Sequence, residues 1–451
     1  MDRNLFRVFA LVAGLAAAPH WAWAQGTPTP TPTPTTPVVV PDPSDAFFND
    51  AVLQDINLTI NTRDWQSLRD HFLDNTYYPC NFTWNGQVVR NIGIRSRGTG
   101  SRSGVKPGLR VDFNRYTTDQ TFLGLKSFIL RNNTQDPSGM RERLSMELFK
   151  RMGMVAEREA HARLFINGVY FGLYTLVESP DNAFLQKYLN ESAGNEYEYS
   201  FDNASSTPFT FNYLGSDASS YTPSPFKPEN NTLDPQGQIL ERLFWTINNA
   251  GDAVWRASMD EFLDMTKFIR HLAIENFLAE EDGITGDYGP NNFYFYRFVN
   301  TNKFMFLPWD KSNTFWASPD YAIFHNIDDG SGTEKIWNRL VLRAMKDQEL
   351  RELYLNTILE AADSILQPPV STAAPPTTPA APTTPVTGWL ESEVTRMADQ
   401  IRTAEYADRS REVYTDADWD ESIRFLTNWA KVRSDIVRAQ VAADRARRGI
   451  R

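Results

Sequence analysis

The order of strand-like and helix-like segments most constrains what this chain can fold into. Between Asp55 and Glu178, short apolar runs alternate with Gly, Asn and Asp, a pattern typical of β-strands joined by turns. The pair Asn167-Gly168 separates two of these runs and is a strong hairpin signal, because both residues tolerate positive φ. One helix interrupts the strands, with Asp136 as a candidate cap, Pro137 suited to its first position and Gly153 as a stop.

The pattern changes after Glu178 and becomes mainly helical, apart from two aromatic strands at 293–298 and 304–309. We therefore predict an α+β fold of two lobes with a cleft between them. The N-lobe, over about residues 45–178, is β-rich with one helix. The C-lobe, over about residues 179–451, is mainly helical.

The N-terminus has the pattern of a secretory signal peptide. Basic residues precede the apolar run 9–18, and Ala22-Trp23-Ala24 forms a cleavage pattern before Gln25. The run is too short to span a bilayer, which takes roughly 20 residues. Residues 1–24 are predicted to be removed after Ala24. With no other segment apolar enough to cross a membrane, the protein is predicted to be secreted or on the cell surface.

Two Pro-rich tracts divide the rest of the chain. Residues 25–44 hold a Thr-Pro repeat and are predicted to form an extended linker. The second tract, 368–387, precedes only about 60 residues of amphipathic helical pattern, too few for a separate stable domain. We therefore interpret it as a Pro/Thr/Ala-rich surface insertion within one domain over residues 45–451.

Composition excludes several functions. The single cysteine, Cys80, excludes intrachain disulfides and a Cys-rich zinc site. The formal net charge of −11 argues against non-specific nucleic-acid binding, which needs a basic surface. The oligomeric state and the identity of any protein substrate are not encoded in a readable motif.

Acidic and amide residues are concentrated between Glu280 and Phe315, around the two aromatic strands. Asp282 follows an apolar helix pattern, Asp287 lies in the next loop, Asn292 precedes one strand and Asp310 follows the other. Carboxylate and amide oxygens suit Mg²⁺ or Mn²⁺ rather than zinc. The cluster predicts a divalent-metal site used in phosphoryl transfer; turn carboxylates that cap helices and strands are the alternative.

A second group of residues could bind phosphates. The loop from Arg95 to Lys106, including Arg97 and Gly98, is rich in Gly and Ser and could cradle phosphates with backbone N–H groups, although a bland flexible loop fits as well. Lys106 could contact the phosphates, with Glu142 or Glu147 of the following helix as its partner. Glu178, where the two halves meet, could lie beside a nucleotide base, or be a turn carboxylate.

Several blocks in order resemble the spore-coat protein H (CotH) family, whose members have an atypical, secreted protein-kinase-like fold. The blocks are RSRG with KPGLRVDF; FLGLKSFILRNN with DPSGMRERLSMELFKRMG; ARLFINGVYFGLYTLVESPDNAFL; and NNFYFYRF with FMFLPWDKSNTF. They extend over nearly the whole chain after the linker.

The resemblance implies an ATP-dependent kinase that phosphorylates Ser/Thr of exported proteins and uses ATP with Mg²⁺ or Mn²⁺. By position, Lys106 corresponds to the nucleotide-phosphate lysine and Glu142 to its helix partner. Asp282 corresponds to the catalytic aspartate, and Asn292 and Asp310 to the metal ligands.

Some features depart from this pattern. Ser312 stands where many relatives have a second carboxylate, and the loop before Asn292 is slightly long, so Asp287 could hold the catalytic role instead of Asp282. A non-catalytic extracellular binding or structural protein on the same fold, a pseudokinase or an adhesin, therefore remains an alternative. A glycosidase that uses Asp282 in an acid/base pair explains the aromatic content but neither Lys106 nor the Asn pair.

Overall fold

Seven strands in the first half of the chain close into a β-barrel. The computed structural model describes residues 42–199, 209–327, 338–368 and 387–450. The barrel strands are β1 (Gln54–Ile60), β2 (Tyr78–Trp84), β3 (Gln87–Ser96), β4 (Leu109–Asp112), β5 (Ser127–Arg131), β6 (Glu159–Ile166) and β7 (Val169–Glu178). They pair in the order β1-β2-β3-β4-β5-β7-β6, and the parallel pairing of β6 with β1 closes the barrel.

The barrel interior is filled by aromatic side chains. Phe82 of β2 and Phe128 of β5 contact Phe47, Phe113 and Phe122 with ring centroids 4.8–6.1 Å apart, mostly edge to face. Pairs of this kind add about 0.5–1.5 kcal/mol each beyond the burial of their area. Because these rings pack the interior, a ligand site has to lie outside the barrel.

The hairpin predicted at Asn167-Gly168 is confirmed, since the two residues join β6 to β7. Their φ angles are 53° and 81°, which the tight hairpin turn requires and which Asn and Gly tolerate best. The Asn167 side chain also accepts a hydrogen bond from the Ile60 N–H at 2.9 Å and so ties the turn to β1.

Two helices, not one, interrupt the barrel strands, so the predicted single helix of the N-lobe is wrong. The missed helix is α1 (Thr62–Asp70), which the Asn61 side chain caps. Of its nine residues only Trp65 and Leu68 are buried apolar anchors. Two anchors are too few to produce a visible helical period in the sequence.

The predicted helix is α2 (Arg141–Arg151), which begins four residues after Pro137, where the sequence placed its start. The Asp136 carboxylate accepts hydrogen bonds from the N–H groups of Ser138 and Arg141, so it stabilises a turn before the helix. Gly153, with φ of 75°, follows the helix end as predicted.

The second half combines helices with a second sheet. The helices are α3 (Asn182–Leu189), α4 (Gly237–Asn249), α5 (Asp252–Met259), α6 (Met265–Phe277), α7 (Arg339–Ala344), α8 (Gln348–Leu366), α9 (Trp389–Ala407) and α10 (Asp416–Arg447). The strands are β8 (Asn195–Tyr199), β9 (Phe226–Pro228), β10 (Phe293–Arg297) and β11 (Phe304–Pro308), in the order β11-β10-β8-β9. The predicted aromatic strands are β10 and β11; β8, which alternates acidic and aromatic residues, and the three-residue β9 were missed.

The helix α10 fixes the end of α6, where the candidate site begins. Its Arg433 side chain is fully buried and donates hydrogen bonds of 2.7–2.9 Å to the carbonyls of Asn276, Phe277, Pro319 and Tyr321. Charge-assisted bonds to four carbonyls satisfy a guanidinium that burial would otherwise destabilise. The C-terminal helices therefore belong to the same folded unit as the site.

Several predicted segments lie outside the described residues: the signal peptide 1–24, nearly all of the linker 25–44 and nearly all of the insertion 368–387. At the edges of the insertion, the Trp389 N–H donates to the Gln367 carbonyl at 2.8 Å, so the two ends of the segment meet. Among the described helices, none combines the length and apolar character needed to cross a membrane.

Cys80 is expected to resist alkylation in the folded protein. It lies on β2 with 5% of its surface exposed, and burial raises the pKa of its thiol to about 12. Because the thiolate is the reactive form, iodoacetamide at pH 8 should label the native protein far more slowly than the protein unfolded in guanidinium. Timed mass spectrometry measures both rates, and equal rates would contradict the buried position.

Candidate functional site

A polar cleft of about 590 Å³ gathers side chains from both halves of the fold. The β3–β4 loop lines one side, the segment after α6 lines the other, and β8, β9 and the end of β11 contribute the rest. Five residues predicted from sequence line it: Arg97, Gly98, Asp282, Asn292 and Asp310. Four others do not: Lys106, Glu142, Glu178 and Asp287.

Asp310 comes two residues after β11, beyond Trp309, and lines the cleft with a left-handed backbone conformation, φ of 50°. Its Oδ2 lies 2.7 Å from the Arg131 guanidinium, and its Oδ1 accepts a hydrogen bond from the Ser312 hydroxyl at 3.1 Å. Burial alone would raise the pKa of Asp310, but the charges of Arg131 and Arg97 outweigh it and lower that pKa. Asp310 is therefore held as a carboxylate.

Asp282 is held by amide side chains rather than by cations. It accepts hydrogen bonds from Asn291 at 3.1 Å and Asn292 at 2.9 Å. The pKa of Asp282 is raised, mainly because the carboxylate is buried. The hydrogen bond from Asn291 lowers this pKa, and the nearby negative charge of Asp310 raises it. A carboxylate with a raised pKa is a better proton acceptor than an ordinary aspartate.

The oxygen donors of the cleft fit a hard cation. Two carboxylates, Asp282 and Asp310, and the amide oxygen of Asn292 form the kind of donor set that Mg²⁺ and Mn²⁺ prefer. The Asn292 side chain donates to Asp282 through its nitrogen, which leaves its oxygen free. These residues are therefore chemically able to hold the metal of a nucleotide complex.

A buried ion pair, which was not predicted from the sequence, contacts the backbone of Asn292. Lys311 is fully buried, and its Nζ lies 2.6 Å from Glu275 and 2.9 Å from the carbonyl oxygen of Asn292. Burial would raise the pKa of Glu275, but Lys311 and then His271 outweigh it and lower that pKa to about 2. The pair holds Asn292 in its left-handed conformation, with φ of 57°.

Arg97 offers the cleft a cation. Its guanidinium stacks on the Trp309 ring, 5.5 Å from the ring centroid. Its backbone N–H is paired with the Gly108 carbonyl, while Gly98 turns the chain with φ of 113°. A planar guanidinium suits bidentate binding of phosphate oxygens.

The predicted pairing of Lys106 with Glu142 is wrong. Lys106 Nζ lies 2.7 Å from Asp408, in the loop between α9 and α10, and both side chains are buried. Glu142 of α2 instead pairs with Arg131, the last residue of β5, at 2.7 Å. Local spacing could not reveal this, because Asp408 lies about 300 residues away in sequence.

Glu178 and Asp287 also lie outside the residues that line the cleft. Glu178 is buried at the end of β7, and the Arg158 guanidinium pairs with it at 2.5 Å. Asp287 is partly exposed and lies 2.6 Å from both His325 and the Asn326 amide. The position of Asp287 outside the cleft leaves Asp282 as the candidate proton acceptor.

The comparison with known families covers all the residues that line the cleft except Asn75. A family model described as CotH kinase protein matches residues 94–372, more than half of the chain. The chain belongs to this family. The match includes the β3–β4 loop, Arg131, α2 and the segment from Asp282 to Asp310, so the CotH resemblance read from the sequence is confirmed.

Curated relatives are also CotH proteins. The inner spore coat protein H of Bacillus subtilis is 24% identical over 313 residues, which is 68% of this chain and 81% of that protein. The invasin CotH3 of Rhizopus delemar is 26% identical over 267 residues, 56% of this chain but 42% of the invasin. This chain thus aligns with less than half of the invasin.

A solved structure, described as a Helicobacter pylori proinflammatory kinase CtkA, aligns with 77% of this chain and 94% of its own. The sequence identity is 10% and the TM-score is 0.28. A similarity at that level carries no argument about this chain.

Proposed function

We propose that this CotH-family chain is a secreted or surface-located atypical kinase that transfers the γ-phosphoryl group of ATP to Ser/Thr of exported proteins. The observation that carries the proposal is the convergence of Asp282, Asn292, Asp310 and Arg97 on one polar cleft. The barrel half would form the nucleotide lobe and the helical half the second lobe. The spore-coat and invasin relatives support the location.

Five residues of the cleft have distinct roles in this reaction. Arg97 and the Gly98 loop would bind the phosphates, and Asp310 with Asn292 would hold Mg²⁺ or Mn²⁺, whose charge would offset that of the phosphates. The substrate hydroxyl oxygen bonds to the γ-phosphorus while the bond from phosphorus to the β–γ bridging oxygen breaks. Asp282 takes the hydroxyl proton, and ADP leaves.

The pair of amides that holds Asp282 serves this role. Hydrogen bonds from Asn291 and Asn292 fix the carboxylate in one orientation without the strong charge of a cation, which would reduce its basicity. Because positioning dominates phosphoryl transfer, this orientation matters as much as the pKa of Asp282.

Asp282→Asn is expected to lower phosphoryl transfer by a factor of about 10², because general-base catalysis of this kind contributes at least that much. The measurement is incorporation of label from γ-labelled ATP into the protein itself and into a Ser/Thr-containing acceptor, with Mn²⁺ or Mg²⁺. Asp287→Asn is the matched control: it removes the same charge five residues away, outside the cleft, and should keep the rate within a few-fold. A loss confined to Asp287→Asn would instead assign the base to Asp287.

A non-catalytic binding protein is the second candidate, and the Ser312 hydroxyl favours it. Ser312 replaces an expected carboxylate and donates to Asp310 Oδ1, one of the oxygens available to a metal. If the cleft binds nothing, Mg²⁺·ATP will leave the melting temperature unchanged, because only a ligand of the folded state raises it. No label together with no thermal shift would support this second candidate.

A further inference from the structure

Three buried glutamates meet next to Arg131, which pairs with one of them and with Asp310. They are Glu142 in the first turn of α2, Glu157 just before β6, and Glu159 at the start of β6. One carboxylate oxygen of each lies within 4.8 Å of the others. Their exposed fractions are 5%, 2% and 2%, so water does not solvate the cluster.

The described residues do not supply enough partners for these carboxylates. Arg131 reaches Oε2 of Glu142, but the other oxygen of Glu142, one oxygen of Glu157 and both oxygens of Glu159 are buried without a hydrogen-bond partner. A buried, unpaired carboxylate destabilises the fold strongly, and more so when like charges adjoin. Glu159 is thus an unpartnered side chain that faces two other carboxylates.

The charges of the cluster do not balance either. The Arg131 guanidinium pairs with the cluster through Glu142, but it is shared with Asp310. The charges of Lys150 and Arg143 also act on Glu159, and that of Lys150 acts on Glu157. Burial, together with the neighbouring carboxylates, raises the pKa values of Glu157 and Glu159 to about 8. The buried oxygens of the cluster are therefore short of bound positive charge.

We propose that Glu142, Glu157 and Glu159 bind a hard divalent cation in a buried site separate from the nucleotide cleft. A divalent cation, added to the Arg131 charge that the cluster shares with Asp310, would offset most of the three negative charges. Three carboxylates without nitrogen or sulfur donors select Ca²⁺, Mn²⁺ or Mg²⁺. Oxygens on opposite sides of Ca²⁺ lie about 4.6–5.2 Å apart, so the cluster is of the right size.

The cation would join elements that pack beside the cleft. Glu142 belongs to α2, while Glu157 and Glu159 lead into barrel strand β6. A shared cation therefore ties α2 to the barrel and fixes the Glu142 carboxylate that positions Arg131 against Asp310. This role is structural and does not depend on the proposed kinase activity.

The test measures bound metal and stability without nucleotide. Protein purified without chelator, and protein dialysed against EDTA and then reloaded with Ca²⁺, Mn²⁺ or Mg²⁺ alone, is gel-filtered and its metal content determined by mass spectrometry. We expect one cation per wild-type chain, retained in Asp310→Asn and lost in Glu157→Gln and Glu159→Gln. The preferred cation should raise the wild-type melting temperature by about 2 °C or more and leave that of Glu159→Gln nearly unchanged.

Two outcomes would overturn the proposal. Equal metal content in the wild type and in both glutamine variants would show that the cluster holds no cation. Glutamine variants more stable than the wild type at every cation concentration would show that protons neutralise the cluster. Asp310 lines the cleft and reaches the cluster only through Arg131, and Asp310→Asn leaves all three glutamates in place. Loss of metal in this variant alone would therefore assign the cation to the cleft and also count against the proposal.

Discussion

Asp310→Asn is expected to lower the rate of phosphoryl transfer by a factor of about 10³ or more, since it removes a charge that acts on the developing transition state. Asparagine keeps the size of the side chain and one oxygen, but it loses the anion that Arg131 and Arg97 hold ionised. A hard cation binds a neutral amide more weakly than a carboxylate. The measurement is the initial rate of label transfer from γ-labelled ATP as Mn²⁺ or Mg²⁺ is titrated.

Asp320→Asn is the matched control for this variant. Asp320 is exposed, lies ten residues further along and does not line the cleft, yet its replacement changes net charge by the same amount. Asp310→Asn also removes one of the two anions that pair with Arg131, and this loss can destabilise the protein. The melting temperature of the same samples therefore separates a loss of activity from a loss of folding. A folded Asp310→Asn protein with a rate within a few-fold of wild type would remove Asp310 from the mechanism.

The parts of the fold that the sequence predicts are those encoded by neighbouring residues. The hairpin at Asn167-Gly168 needs only two residues that accept positive φ, and strands β10 and β11 stand out as short runs rich in aromatic and apolar residues. Helix α1 has too few apolar positions to show a helical period, and strands β8 and β9 are only five and three residues long. Closure of the barrel by β1 and β6 joins residues more than 100 positions apart.

The residues of the site also divide into those that neighbouring residues mark in the sequence and those that only long-range contacts bring together. Asp282, Asn292 and Asp310 could be placed together because short segments end at one edge of the aromatic strands. Arg131 was missed because nothing in its own strand marks it; its partners, Glu142 and Asp310, come from α2 and from the segment after β11. The partner of the helix glutamate Glu142 is thus Arg131, from a barrel strand, and not Lys106 as the sequence predicted. The roles of these residues in catalysis stay predictions.

Lys106→Met is expected to lower the free energy of unfolding by about 3–5 kcal/mol, because it leaves one partner of a buried ion pair without its counter-charge. Asp408 has no exposed surface in its side chain and would keep only the hydrogen bonds from Leu173 N–H and Ser410. Urea unfolding measures the change. The affinity of the folded variant for Mg²⁺·ATP should stay at the wild-type value, since Lys106 does not line the cleft.

Two further variants make this prediction specific. Lys126→Met makes the same chemical change at an exposed position and should alter stability by no more than about 0.5 kcal/mol. Asp408→Asn, combined with Lys106→Met, should recover part of the loss, because the stranded negative charge is gone while the asparagine oxygen still accepts the hydrogen bonds from Ser410. Unchanged unfolding in Lys106→Met, with tenfold weaker binding of ATP, would instead restore Lys106 as the phosphate-binding lysine and place the Asp408 pair in doubt.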